Sequence, residues 1–309
     1  KDGVSVNSYH RHNTTVAVNM GRFSYPAELY TLSGNRLTKL TDVNRSYSER
    51  VATAPFEEIR FNSKDGTEIH GFLVRPVGYE PGKRYPTILW IHGGPVAQYS
   101  HSYNFTAELF AANGYAVLLI NPRGSSGYGQ AFSEILFADW GNKDFEDVMA
   151  AVDHAIAIGV ADPEKLGVGG WSYGGILTNY VITKTGRFKG AISGASETLL
   201  RSNYGHDHYQ RHWEAELGLP WETPEKWERL SSFNDVANVT TPTLWIGGAD
   251  DWNVPIIGSE QMYQAMRRLG IETQLVVYPG EHHGIRNMSF QKDRYERYLD
   301  WFNRYVKGE

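Results

Sequence analysis

The sequence predicts an α/β architecture: a mostly parallel, twisted sheet with helices on both faces. Two observations carry the prediction. Short apolar runs recur along the chain and end in glycine-containing turns, at residues 88–91, 166–170, 244–246 and 275–278. Between them lie stretches with helical periodicity, the clearest at 144–158, where Phe145, Val148, Val152, Ala155 and Ile156 share one face. Strands that alternate with helices pair in parallel, because each crossover helix returns the chain to the same end of the sheet. Ligands of such sheets gather outside the carboxyl ends of the strands, so chemistry is expected in the loops there.

In chain order, residues 15–19, 28–32 and 36–40 read as short strands, the last two joined through Ser33, Gly34 and Asn35. This β segment, residues 1–50, differs in style from residues 51–309. Runs at 58–61 and 69–74 flank Asp65-Gly66, a pair that favours the positive φ of a hairpin turn. The run 115–120 is apolar throughout, which suits a strand covered on both faces. Asp139-Trp140-Gly141 reads as a turn before the 144–158 helix. A strand at 166–170, a helix from Gly174 and a strand at 188–193 follow, then helices at 259–269 and 295–306. The stretch 198–232 interrupts the alternation and holds Tyr204, His206, His208, Tyr209, His212, Trp213, Trp221 and Trp227. It either lines a largely apolar pocket or packs on the sheet as an aromatic helical pair.

Four strand ends carry candidate chemistry. Gly170-Trp171-Ser172-Tyr173-Gly174 follows an apolar strand and opens a helix, the pattern of the nucleophile elbow of the α/β-hydrolase fold. The serine of such an elbow sits on strained backbone, and side chains two residues to either side would collide across the turn. His92-Gly93-Gly94-Pro95 follows an earlier strand, and the N–H groups of Gly94 and Tyr173 are the expected oxyanion donors. The loop after Trp245-Ile246 presents Asp250 and Asp251, which spacing alone does not rank. The loop after Tyr278 presents His282 and His283. The order Ser, Asp, His is that of α/β-hydrolases rather than of chymotrypsin or subtilisin. His206, His208 and His212 come without H-E-x-x-H or a supporting carboxylate pattern, so no metal is predicted. Residues 123–129 are glycine-rich but lack the Lys-Ser/Thr of a phosphate loop and read as structural.

From residue 56 to 306 the chain resembles the catalytic domain of the prolyl oligopeptidase family of serine peptidases, nearest its acylaminoacyl-peptidase and dipeptidyl-peptidase branches. The resemblance rests on His92-Gly93-Gly94-Pro95, Asn121-Pro122-Arg123-Gly124, Asp139-Trp140-Gly141, Gly170 to Gly175, Asp251-Trp252-Asn253-Val254-Pro255 and His283-Gly284. It implies Ser172 as nucleophile, Asp251 rather than Asp250 as acid, and His283 rather than His282 as base. It further implies hydrolysis of short peptides through an acyl-enzyme, with no cofactor; a carboxylesterase on the same fold is the alternative. Asn253 stands where acylaminoacyl peptidases usually carry arginine, and an amide can still donate to a substrate carbonyl, without the charge. Tyr204 and Trp171 are further substrate-binding candidates. Relatives carry a β-propeller ahead of the hydrolase, so residues 1–50 are expected to be its last blade and the chain the C-terminal part of a larger enzyme. Val16, Val18, Leu29 and Leu32 would then miss the neighbouring blade that covers them. The alternative is a small β extension of a stand-alone hydrolase.

With 309 residues, a net charge of −5 and basic and acidic residues mixed along the chain, neither a nucleic acid nor an anionic membrane is an expected partner. No apolar stretch approaches the roughly 18 residues of a membrane-spanning helix. The absence of cysteine removes disulfides and thiol chemistry and is compatible with a cytoplasmic, periplasmic or secreted location. Exposed strand edges in the β segment could pair with a second copy in a homo-oligomer.

Overall fold

The computed structural model describes residues 3–309. Strands β1 (Val4–His12), β2 (Thr15–Arg22), β3 (Tyr25–Ser33) and β4 (Arg36–Lys39) form an antiparallel sheet in sequential order. Four meandering strands are the makeup of one propeller blade. The sheet is open: β1 and β4 are its edges, and Val4, Val6, Tyr9, Leu29 and Leu37 are exposed. Val18 is buried and Val16 and Leu32 are half-buried, so of the four positions expected to lack cover Leu29 is the exposed one.

The second sheet has eight strands: β5 (Phe56–Asn62), β6 (Glu68–Val74), β7 (Tyr85–Ile91), β8 (Ala116–Asn121), β9 (Ala161–Trp171), β10 (Gly190–Gly194), β11 (Thr243–Gly248) and β12 (Thr273–Tyr278). Their spatial order is β12-β11-β10-β9-β7-β8-β6-β5. β7 to β12 are parallel, and the antiparallel hairpin of β5 and β6 closes one edge against β8. The hairpin turns at Gly66, whose φ is +86°, with the Asp65 carboxylate accepting the Thr67 N–H.

Strand alternation sends side chains to opposite faces. Leu89, Ile91, Leu118 and Ile120 enter one core, together with helices Lys143–Ala157, Tyr173–Lys184 and Ile257–Arg268. Ile88, Trp90, Val117 and Leu119 enter the other, with helices Phe105–Ala112 and Met288–Phe302. Both faces being covered explains why β8 is buried and apolar along its length until Asn121. Each large side chain so buried contributes roughly 1.5–3 kcal/mol. The β segment joins the second core through Phe23, which is fully buried and stacks on Phe56 with ring centroids 4.1 Å apart.

Candidate active site

The elbow forms as its residue types require. Ser172 has φ +61° and ψ −128°, a conformation rare for any residue with a side chain, at the junction of β9 and the helix Tyr173–Lys184. A Cβ at Gly174 would lie 2.2 Å from the Ile91 carbonyl oxygen, and one at Gly170 would lie 2.6 Å from Gly174. The turn therefore closes only with glycine at both positions, which leaves the Ser172 hydroxyl projecting above the sheet.

The Asp and His loops lie beside it because β11 and β12 are adjacent. Gly248 lets them approach: a Cβ there would sit 2.2 Å from the Glu281 carbonyl oxygen. Ala249 N–H donates to the Tyr278 carbonyl and Asp250 N–H to that of Glu281. Glu281 in turn accepts the Asn287 N–H at 3.1 Å and that of Arg286, fixing the chain past His283. The result is one line of hydrogen bonds. Asp251 Oδ2 is 2.8 Å from His283 Nδ1, and His283 Nε2 is 3.0 Å from Ser172 Oγ. Asp251 is buried, and its Oδ1 accepts the N–H groups of Asn253 and Val254 at 2.8 and 2.9 Å. Asp250 is exposed; its carbonyl accepts from His282 Nδ1, so these neighbours bond to each other and not to Ser172.

A cavity of about 300 Å³ adjoins Ser172, and Gly94, Trp140, Tyr173, Tyr209, Trp213 and Asn253 are among the residues lining it. The side chain of Tyr173 is buried beneath the elbow, its hydroxyl donating to Asp144 and its ring edge-on to Trp140. Burial pushes the Asp144 carboxyl up to about 6, with the donated hydrogen bonds from Tyr173 and Gly141 opposing. The His92–Pro95 turn is anchored from behind by His92, whose Nε2 lies 3.0 Å from Ser125 Oγ. That serine belongs to the glycine-rich 123–129 loop, clamped by buried Arg123 on Asp147 and Asp65, which accounts for the loop without any phosphate. Asn253, which also lines the cavity, accepts at Oδ1 from His208 Nε2 at 2.8 Å and the Tyr209 hydroxyl at 2.6 Å, so its remaining donor is Nδ2.

Two of the sequence candidates lie elsewhere. Tyr204 does not line the cavity; its hydroxyl donates to Glu214 and its ring packs edge-on against Trp221 and Trp227. Trp171 points across the His loop, its indole N–H donating to the His283 carbonyl at 2.9 Å. The aromatic insertion thus does both things open to it: Tyr209, His212 and Trp213 line the cavity, while Tyr204 and Trp227 pack below. Trp140, read as part of a turn, is a cavity wall, and Glu197 enters it from the loop after β10. Among the described residues no group of three or more His, Cys, Asp or Glu side chains is placed to hold a metal; His212 meets Glu216 and His206 the Trp252 ring. No helix of the described residues is long and apolar enough to cross a membrane.

The model of the prolyl oligopeptidase family matches residues 101–309, well over half of the chain. The chain belongs to the prolyl oligopeptidase family. Across 289 residues it is 38% identical to an uncharacterized peptidase of Bacillus subtilis strain 168, YuxL, covering 91% of this chain and 44% of that protein. It is 31% identical to the acylamino-acid-releasing enzyme of Arabidopsis thaliana over 244 residues, 74% of this chain and 31% of the other. The solved structure of an acylaminoacyl peptidase in complex with Z-Gly-Gly-Phe-chloromethyl ketone superposes with a TM-score of 0.91 at 28% identity, over 98% of this chain and 49% of its own. The chain therefore spans less than half the length of the curated relatives it matches.

Proposed function

We propose that this chain is the catalytic domain of a serine peptidase that hydrolyses peptide bonds of short peptides, in the manner of acylaminoacyl or dipeptidyl peptidases. The observation that carries the reading is the unbroken line from Asp251 through both ring nitrogens of His283 to Ser172, at the mouth of a cavity. Ser172 Oγ attacks the substrate carbonyl while His283 Nε2 takes its proton. Asp251 holds Nδ1–H and stabilises the imidazolium. The oxyanion falls to the N–H groups of Gly94 and Tyr173, and Asn253 Nδ2 is the donor for a second substrate carbonyl. His283 returns its proton to the departing amine, and water then releases the acyl group by the same route. The family likeness supports peptides as substrates. The blade-like sheet supports a propeller beside this domain, a gate that would admit only short chains.

The test compares an N-acetyl peptide p-nitroanilide with a p-nitrophenyl ester. Amide hydrolysis that Ser172→Ala lowers by on the order of 10⁶ in kcat is expected. Ester hydrolysis with no amide hydrolysis would contradict the reading and favour a carboxylesterase.

A further inference from the structure

Of the residues lining the cavity beside Ser172, Glu197 alone carries a carboxyl group, set among Trp140, Tyr173, Ile176 and Trp213. It is 2% exposed, and its Oε2 has no hydrogen-bond partner. A second buried carboxyl, Asp207, acts on it. Burial first, and then the proximity of Asp207, pushes Glu197 well above the usual carboxylate range. Asp207 is held by neutral donors, the Tyr209 N–H at 2.7 Å and the Trp213 indole N–H at 2.8 Å. No lysine or arginine pairs with Glu197 among the described residues. Buried Asn203 lies beside it, and its side-chain amide opposes the rise without cancelling it.

Burial and Asp207 favour the protonated carboxyl, and an apolar side chain in this cavity would leave its polar atoms unmatched. A cationic side chain instead stabilises the carboxylate, whose proton passes to solvent as the pair forms. It also gains from the walls, where Trp140 and Trp213 stand with ring centroids 5.3 Å apart and Tyr209 adds a third ring. Aromatic faces attract guanidinium and ammonium groups, guanidinium most of all because it also stacks.

We infer that Glu197, backed by Asp207, selects a lysine or arginine side chain at the residue whose carbonyl Ser172 attacks. This rests on the peptidase reading above and narrows its substrate class. Glu197 serves as a specificity determinant, binding the side chain and taking no part in bond making.

The full chain is assayed against N-acetyl dipeptide p-nitroanilides ending in Arg, Lys, Gln, Leu or Phe, with fluorophosphonate labelling of Ser172 measured in parallel. The Arg and Lys substrates should exceed the others in kcat/KM by roughly 10- to 100-fold. Glu197→Gln should remove that preference, and Asp207→Asn should weaken it, while labelling persists. Labelling with Phe or Leu preferred by the unaltered chain would overturn the inference and leave the peptidase reading standing. Preference for anilides with a free α-amino group over their acetylated forms, lost in Glu197→Gln, would assign the carboxyl to the substrate's terminal ammonium and likewise overturn it. Absence of both labelling and cleavage would bring down the peptidase reading and the inference together.

Discussion

At the scale of single residues, the site turns on which of two neighbouring acids and which of two neighbouring histidines meet Ser172. Asp251 accepts two backbone N–H groups and faces His283 Nδ1, whereas Asp250 is exposed and holds the two loops together through its backbone. Asp251→Asn should therefore lower kcat by on the order of 10⁴. Asp250→Asn should change it little; steady-state kinetics on one anilide separates the two, and the reverse pattern would reassign the acid. His283→Ala should likewise remove activity that His282→Ala keeps. The sequence named Ser172 through its strand-turn-helix context and the two loops through their place after apolar strands. It did not rank Asp251 over Asp250; that came from the Asp-Trp-Asn-Val-Pro resemblance. Glu197 and Trp140 were illegible for a physical reason. A cavity wall is set by which distant loops converge, and no local pattern marks a lone Glu after β10 or a Trp before a helix as facing the same space.

At the scale of elements, the parallel strands and long helices were legible because their burial is periodic or continuous. Elements whose burial is weak were not. β1 is exposed at eight of its nine positions, so it shows no alternation. The last helix begins at Met288 rather than 295, capped by Asn287 accepting the Ser289 N–H, and its polar first turns hide the periodicity. Helix Lys143–Ala157 carries a prediction of its own. Asp144 is fully buried beneath Tyr173, with its carboxyl raised from 3.8 to about 6. Between those values the folded chain keeps a proton that the unfolded chain has released, so this group's contribution to stability falls as pH rises. That separation corresponds to about 3 kcal/mol. The unfolding free energy of the unaltered protein minus that of Asp144→Asn, from chemical denaturation, should thus decrease by about 3 kcal/mol between about pH 3 and pH 7. A difference independent of pH would show that Asp144 is not desolvated as described.

At the scale of the whole molecule, two bodies share one core residue. Phe23 comes from the turn after β2, yet it is buried with Phe56 and Phe72 in the core beneath the eight-stranded sheet. Phe23→Ala should cost about 3–5 kcal/mol of unfolding free energy, as for other buried aromatics. A cost below 1 kcal/mol, roughly that of a surface change, would mean that the blade-like sheet is not coupled to the hydrolase body. The eight-stranded body supplies what the chemistry needs: adjacent β11 and β12 bring Asp251 to His283, and β9 ends just before Ser172, whose hydroxyl meets His283. The central claim is that this arrangement makes Ser172 a nucleophile. The most direct test is intact-mass and peptide-mapping analysis after exposure to a fluorophosphonate. One adduct per chain is expected, located on Ser172, absent in Ser172→Ala and greatly slowed in His283→Ala. No adduct on the folded chain, or an adduct on another residue that survives Ser172→Ala, would contradict the account.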